Sequence, residues 1–176
     1  MIPLLDNFIK SYAELKNTFL ENSEISFKSF VEPHLTKTFL LSCASFYESQ
    51  IQDIIKNFMK NNTSDKRLIS FATNKGIKRQ YHTYFVWEDS NGNPPNNINN
   101  FLGLFGEEFK DKLSKEIKDD EDLRKGMRAF LIIGNMRNKM VHDNFLGYSL
   151  PNTFEEILDY SNNANSFLSF LKKSFN

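Results

Sequence analysis

The chain has 176 residues, of which 40% are apolar and 25% are charged, a composition that is ordinary for a single globular domain with a sizeable core. Its 22 basic and 22 acidic side chains give a formal net charge of zero. A zero net charge excludes a protein that coats nucleic acid by overall electrostatic attraction, so any polyanion has to be bound by a local basic patch.

The cysteine content and the hydropathy indicate a cytoplasmic protein without a membrane span. Cys43 is the only cysteine, so no disulfide can form within the chain, which fits a reducing compartment. The first residues lack the layout of a secretory signal, and no apolar run approaches the length of a transmembrane helix. Cys43 and the three histidines show no metal-ligand spacing, and we therefore predict no metal and no cofactor.

Two amphipathic helices are predicted in the first third of the chain, joined by a connector at 23–30. Apolar side chains recur at helical spacing from Leu4 to Leu20, and again from about Glu32 to about Lys60. The second helix, of about 28 residues, would be roughly 40 Å long, which is more than one small core requires. A wide apolar stripe of that length is typical of a helix shared by several partners, sometimes from a second subunit.

Residues 63–98 are predicted to be an irregular insertion that ends in a turn signal at Asn93-Pro94-Pro95. Within it, Lys75 to Trp87 mixes basic and aromatic residues. Such a mixture can stack and hold single-stranded nucleic acid. The simpler interpretation, which we adopt, is a capping segment whose aromatic side chains cover the edge of the core, because an aromatic-rich chain gives such runs by chance.

Three further helices complete the predicted bundle. The first covers 100–113, and the second follows the acidic run 119–122, whose charges suit a helix N-terminus, and continues to the polar stretch before Phe145. The last begins with the capping pattern of Thr153 to Glu156. Since no strand alternation appears, we predict a single all-α domain over 1–176, an up-and-down bundle of four to five helices.

The stretch from Ile132 to Phe145 carries the candidate chemistry, because an apolar helix turns polar there. Asn138 and His142 lie four residues apart, so they share a helix face and can hydrogen bond, and Arg137 lies beside Asn138. A guanidinium binds phosphate oxygens through paired hydrogen bonds, and an imidazole exchanges protons near neutral pH. Lys139 adds a further cation to the same turn.

These groups suit cleavage of an RNA phosphodiester, which needs a base for the 2′-hydroxyl, an acid for the leaving oxygen and positive charge on the phosphate. One motif lacks a second proton-transfer group, and a two-fold dimer would supply a second His142 and a second Arg137. A second interpretation stays open on spacing alone: both side chains can simply cap carbonyls at a helix C-terminus.

The sequence Arg137-Asn138-Lys139-Met140-Val141-His142 resembles the Arg-x4–6-His motif of HEPN domains in its common form Arg-Asn-x3-His. The preceding apolar run 130–136 is similar to the helix that carries this motif. The stretches 44–49 and 100–106 are similar to the RiboL-PSP-HEPN branch. The resemblance extends over most of the chain, with the motif as its most specific part.

This resemblance implies an all-α homodimer with metal-independent endoribonuclease activity at a composite site, leaving a 2′,3′-cyclic phosphate. It implies that Arg137 binds the phosphate, that His142 transfers protons, and that Asn138 orients the site. Glu48 on the long helix is a possible support for Arg137, although a surface glutamate is an equally good interpretation. Possible RNA contacts are Lys139, Arg79 and His82.

Many relatives are toxins or anti-phage effectors, so RNA as substrate and an antitoxin protein as a possible partner are further expectations. In one HEPN subgroup a tyrosine two residues after the histidine is modified by a partner enzyme. Here that position is Asn144, which argues against this form of control. The competing hypothesis is a catalytically inactive HEPN module that dimerises or binds a nucleotide or a partner protein.

Overall fold

The computed structural model describes residues 3–21 and 27–176, and within them the chain is all-α, without a strand. The helices in chain order are α1 (Pro3–Glu21), α2 (Glu32–Asn62), α3 (Lys66–Phe71), α4 (Lys78–Tyr84), α5 (Asn99–Gly103), α6 (Glu107–Asp119), α7 (Glu121–His142) and α8 (Phe154–Ser174). Two π-helical turns precede α2 and α4, at Phe27–Val31 and Ala72–Ile77. None of the described helices is long and apolar enough to cross a bilayer.

The bundle is built around α7, which packs against α8, α2 and α6, while α8 also packs against α2. These helices bury their apolar stripes against one another, and the largest fully buried side chains of the core are Tyr47, Phe39, Phe130, Phe167 and, from α5, Phe101. Within this core the hydroxyl of Tyr47 donates to Ser161 Oγ (3.1 Å), and Cys43 Sγ lies 3.6 Å from the same oxygen. The predicted all-α bundle is therefore confirmed, with α7 at its centre.

Local capping chemistry sets the ends of the two helices nearest the predicted site. Asp120 begins α7, where its carboxylate accepts from Leu123 N (2.9 Å). Thr153 begins α8 with a complete capping box, since its hydroxyl accepts from Glu156 N (3.2 Å) and the Glu156 carboxylate accepts from Thr153 N (2.9 Å). Both starts agree with the sequence prediction.

The structure differs from the prediction in two segments, and part of a third is not described. The helix expected over 100–113 is wrong as a single element, because the chain breaks at 104–106 and Gly106 adopts a left-handed φ of +103°. The insertion is more regular than expected, since 66–84 is helical and only 63–65 and 85–98 are irregular. The first half of the predicted connector at 23–30 lies outside the described residues, and its second half belongs to the π-helical turn before α2.

Candidate functional site

Helix α7 ends at His142, so its last two turns present the predicted site residues. The chain leaves the helix through Asn144, which has a left-handed φ of +69°. Asn144 is stabilised there because its side-chain oxygen accepts from Leu146 N (3.3 Å) and its carbonyl accepts from Tyr148 N (3.0 Å). The body of the bundle also holds this turn, because the buried Lys37 of α2 donates to the carbonyls of Phe145 (3.0 Å) and Leu146 (3.4 Å).

Two neighbouring cavities contain all seven predicted site residues. The first, which we call the Arg cavity, has a volume of about 160 Å³ and is lined by Ala44, Glu48, Lys78, Arg79, Tyr81, His82, Trp87, Gly134, Arg137 and Asn138. The second, the His cavity, has a volume of about 440 Å³ and is lined by Trp87, Glu88, Asn135, Asn138, Lys139, His142 and Asp143. Trp87 and Asn138 line both, so these two side chains form the wall between the cavities.

Trp87 is held in this wall from two sides. On α7, Gly134 leaves the notch that its ring occupies, since a β-carbon at position 134 would lie 1.9 Å from Trp87 Cζ3. Asn135 Nδ2 donates to the Trp87 carbonyl (2.8 Å), and the indole Nε1 donates to the carbonyl of His82 in α4 (3.0 Å). The irregular segment 85–98 is therefore fastened to the helix that carries the predicted motif.

Lys139 has a structural contact within the same segment. Its ammonium donates to the carbonyl of Gly92 (2.6 Å), in a turn where Asp89 N also donates to Asn93 O (2.7 Å). The side chain is half-buried. Lys139 therefore holds the turn against α7. It also lines the His cavity, and contact with RNA there stays a prediction.

The contacts of Arg137 and Asn138 differ in part from the expectation. Arg137 Nη1 donates to Asn138 Oδ1 (3.0 Å), so the carboxamide orients the guanidinium; the expected bond between Asn138 and His142 is absent from the described residues. Glu48 lines the same cavity as Arg137, yet the two form no ion pair in the described part of the chain. Instead, Glu48 Oε1 accepts from Gln52 Nε2 (3.1 Å).

The pKa of Tyr81 depends on the charges of both Glu48 and Arg137. Burial raises the pKa of its hydroxyl, the negative charge of Glu48 raises that pKa further, and the positive charge of Arg137 opposes the shift. The hydroxyl therefore remains protonated at neutral pH and can donate a hydrogen bond in the Arg cavity.

The arrangement suits an anion with a proton-transfer step beside it. Arg137 is half-buried and has no carboxylate partner in the described residues, and His142 is exposed in the adjoining cavity. Within the part of the chain that the structure describes, no three histidine, cysteine or acidic side chains lie close enough together to hold a metal ion. The site itself presents cationic and acid–base side chains.

The sequence analysis did not identify four residues that line the two cavities, namely Trp87, Tyr81, Gly134 and Asn135. Two signals point to them in retrospect. Trp87 is the single tryptophan of the chain, and Gly134 interrupts an otherwise apolar helix where alanine would be more favourable. A glycine inside a helix that is otherwise well formed indicates a close approach by another group.

Comparison with known proteins gives one match. The family model described as RiboL-PSP-HEPN matches residues 6–176, which is nearly the whole chain. No curated protein and no solved structure matches it significantly.

Proposed function

The chain belongs to the RiboL-PSP-HEPN family, and from that premise we propose that it is a metal-independent endoribonuclease whose site is shared between the two subunits of a homodimer. One observation carries the proposal: Arg137, oriented by Asn138 and unpaired with any acid in the described residues, lines a cavity next to the one that contains His142. An unpaired guanidinium in a cavity can bind a phosphate group through paired, charge-assisted hydrogen bonds.

The proposed reaction uses the nucleophile that RNA already contains. The 2′-oxygen attacks the adjacent phosphorus and gives its proton to a base, while the bond from phosphorus to the 5′-oxygen breaks and that oxygen takes a proton from an acid. The product is a 2′,3′-cyclic phosphate and a 5′-hydroxyl. In this scheme Arg137 stabilises the charge on the phosphate and His142 transfers a proton.

We propose a shared site because the His cavity of one chain contains a single histidine for two proton transfers. A base and an acid are both needed, and His142 is the only histidine in the His cavity. The exposed Val141 and Leu146 flank His142, so apolar surface is available there for a second copy to cover. A two-fold dimer with the two His cavities facing each other would bring a second His142 to the same phosphate.

The proposal also covers the biological role of the protein. We propose a cytoplasmic toxin or anti-phage effector, with RNA as substrate, an antitoxin protein as a partner and no cofactor. The family membership supports this setting, because toxins are common among HEPN proteins.

One observation favours a second candidate, a catalytically inactive module for dimerisation or for binding a nucleotide or partner protein. His142 is exposed at a helix end, and no hydrogen bond orients its ring in the described residues. Catalytic histidines are usually oriented by a second group.

Cleavage of mixed RNA in the presence of EDTA separates the two candidates. We expect wild type to cut, and Arg137→Ala and His142→Ala to lose at least about 100-fold in rate. Arg128→Ala, an exposed arginine on the same helix, is the matched control and should cut as wild type does. If wild type cuts no faster than Arg137→Ala, the inactive module is the better account. Light scattering should give the mass of a dimer at micromolar concentration.

A further inference from the structure

The charge of this neutral protein is distributed unevenly along the chain. Residues 66–87 contain five basic side chains and no acid, whereas the rest of the chain has 17 basic and 22 acidic side chains. We call the helical part of this stretch, Lys66 to Tyr84, the arm; it comprises α3, a π-helical turn and α4. The arm is therefore a local basic patch of the kind that a neutral protein needs to bind a polyanion.

The arm has one face for the core and another for solvent. Its core face is formed by Ile77 and Tyr81, and the arm packs on α2 through it. The other face carries Lys75, Lys78, Arg79 and His82, which recur at three- and four-residue spacing and are all exposed. Packing of the core face thus turns a row of cations outward.

The row of cations leads into the proposed site. Lys78, Arg79 and His82 line the Arg cavity together with Arg137, and Lys75 lies one turn before them. In the described residues none of the three basic side chains Lys75, Lys78 and Arg79 has an acidic partner. Arg67 at the far end of the arm differs, because Asp65 binds it through Nη2 (3.0 Å) and Nε (3.2 Å). Free positive charge is therefore concentrated at the end of the arm that adjoins Arg137.

We propose that the exposed face of the arm, Lys75 to His82, binds the phosphates that flank the cleaved bond, so that the substrate is a single-stranded RNA segment of several nucleotides. This inference rests on the proposed function and adds the substrate class. The face extends about 11 Å along the helix axis, enough for more than one phosphate beyond the one at Arg137. A strand that must enter the Arg cavity has to leave any duplex, which selects single strands and loops.

An acidic protein segment is the alternative occupant, and the surface favours RNA. A protein partner usually buries apolar anchors at the centre of its interface. In the described residues, the exposed large apolar side chains of the arm, Leu68 and Phe71, belong to α3, and none lies between Lys75 and His82. The face itself offers cations beside the aromatic wall of Trp87, a combination typical of single-strand binding.

Binding of an RNA that cannot be cleaved tests the arm independently of catalysis. The probe is a fluorescent 12-nucleotide single strand with 2′-O-methyl groups, titrated by anisotropy at several salt concentrations. For Lys75→Gln/Lys78→Gln/Arg79→Gln we expect at least about a 10-fold loss of affinity at low salt. The slope of log affinity against log salt should become about 2 smaller in magnitude, since each phosphate contact on a single strand contributes about 0.7.

The control variant removes the same number of positive charges from another part of the surface. Lys112→Gln/Lys115→Gln/Lys125→Gln removes three exposed lysines of α6 and α7 and should leave both affinity and slope as in wild type. All six positions are exposed, so both triple variants should unfold at the wild-type temperature, which circular dichroism checks. Equal losses in the two variants would mean that net charge alone matters and would overturn the proposal. A 12-residue polyglutamate that binds the arm more tightly than the RNA would overturn it in favour of a protein partner.

Cleavage of two substrates separates failure of the arm from failure of the ribonuclease. We expect wild type to have a higher kcat/KM for a 12-nucleotide RNA than for a dinucleotide, and this preference to shrink about 10-fold in the arm variant, chiefly through KM. If wild type cuts RNA but the variant keeps the preference, the arm proposal is wrong and the ribonuclease stands. If wild type cuts nothing, the ribonuclease is wrong, and the binding data still decide the arm.

Discussion

The Arg cavity and the His cavity share a wall but are built differently. Side chains from α2, α4, α7 and Trp87 enclose the Arg cavity, whereas the His cavity is bounded only by the end of α7 and by Trp87 and Glu88 from the neighbouring loop. Arg137 is accordingly half-buried and hydrogen-bonded, while His142 is the exposed last residue of its helix. One chain thus encloses the Arg cavity and leaves the His cavity open; in the proposed reaction these are the anion-binding and the proton-transfer halves of the site.

Under the proposed shared site, this difference indicates which cavity a second subunit would complete. The Arg cavity backs onto the buried layer of α2 and α8, so its geometry is fixed when the chain folds. The His cavity is lined by exposed residues such as Glu88, His142 and Asp143, and the exposed Val141 and Leu146 lie within four residues of His142 in the chain. We therefore expect structural damage in the Arg cavity to stay within one chain, and the loss of a catalytic side chain to be relieved in part by a partner.

Mixing of subunits gives the largest expected effect. Arg137→Ala and His142→Ala should each be inactive alone, because a dimer of either lacks one kind of group altogether. A mixed dimer has one Arg137 and one His142 on different chains, which restores the phosphate contact and one of the two proton transfers. Cleavage should therefore rise about 10-fold above either variant, and stay below wild type, when the two are denatured and refolded together. A mixture as inactive as its components would contradict the contact of both chains with one phosphate.

Alkaline pH should weaken the layer behind the Arg cavity. Burial raises the pKa of Cys43 from 9.0 to about 11, with a smaller opposing effect from the hydrogen bond to Ser161. Because the folded-state pKa is the higher one, the stability is intact below pH 9 and is lost as the pH rises from 9 towards 11, by about 3 kcal/mol for this group.

Urea unfolding of wild type and Cys43→Ala across this range isolates the contribution of the thiol. The free energies of unfolding of the two proteins should converge, or cross, as the pH rises, because only wild type carries the thiol. Parallel curves would show that Cys43 titrates alike in both states. Burial also raises the pKa of Tyr47 and the charge of Cys43 raises it further, so the difference between the two proteins reports the thiol together with its coupling to Tyr47.

Gly134→Ala should damage the wall between the cavities. Its β-carbon would meet the ring of Trp87 at 1.9 Å, so the indole has to leave its notch, at a cost of about 1–3 kcal/mol that the better helix propensity of alanine offsets by about 1 kcal/mol. We expect Tm to fall by about 4 °C and the cleavage rate to fall with it. Gly76→Ala is the control, since no atom lies within 4 Å of its β-carbon. A wild-type Tm for Gly134→Ala would mean that Trp87 is loosely held.

Lys139→Met should give the smallest effect. It removes the 2.6 Å bond to Gly92 O but keeps the apolar stem, so we expect a loss of about 1 kcal/mol and faster amide exchange at 89–93. Lys125→Met, exposed on the same helix, should change neither. Unchanged exchange at 89–93 would show that Asn135 alone is enough to hold the segment.

The predictions from sequence succeeded where local chemistry decides. The starts of α7 and α8 followed from Asp120 and from the capping box of Thr153 and Glu156, and the extent of α2 followed from a long apolar stripe. They failed at Gly106, where a left-handed backbone breaks a run whose side chains keep a helical pattern. They also missed most of the helical structure in 66–84, which packs on α2 through few apolar residues.

The candidate site, like the fold, was predictable from the sequence only in part. Arg137, Asn138 and His142 lie within six residues, so one helix brings them together, and their spacing together with the resemblance to the HEPN motif singled them out. Tyr81 and Trp87 come from segments about fifty residues away, and only tertiary packing brings them to α7. Their positions depend on a notch at Gly134 and on carbonyl acceptors, which leave almost no pattern in the sequence.

Trp87 also provides the protein with an intrinsic optical probe. It is the chain's single tryptophan, so all indole fluorescence comes from the wall between the two cavities. Its emission depends on the polarity around the ring, which a bound phosphate, a stacked base or an approaching second subunit would each change. Occupation of either cavity can therefore be followed in unlabelled protein, with tyrosine emission from elsewhere in the chain as the internal reference.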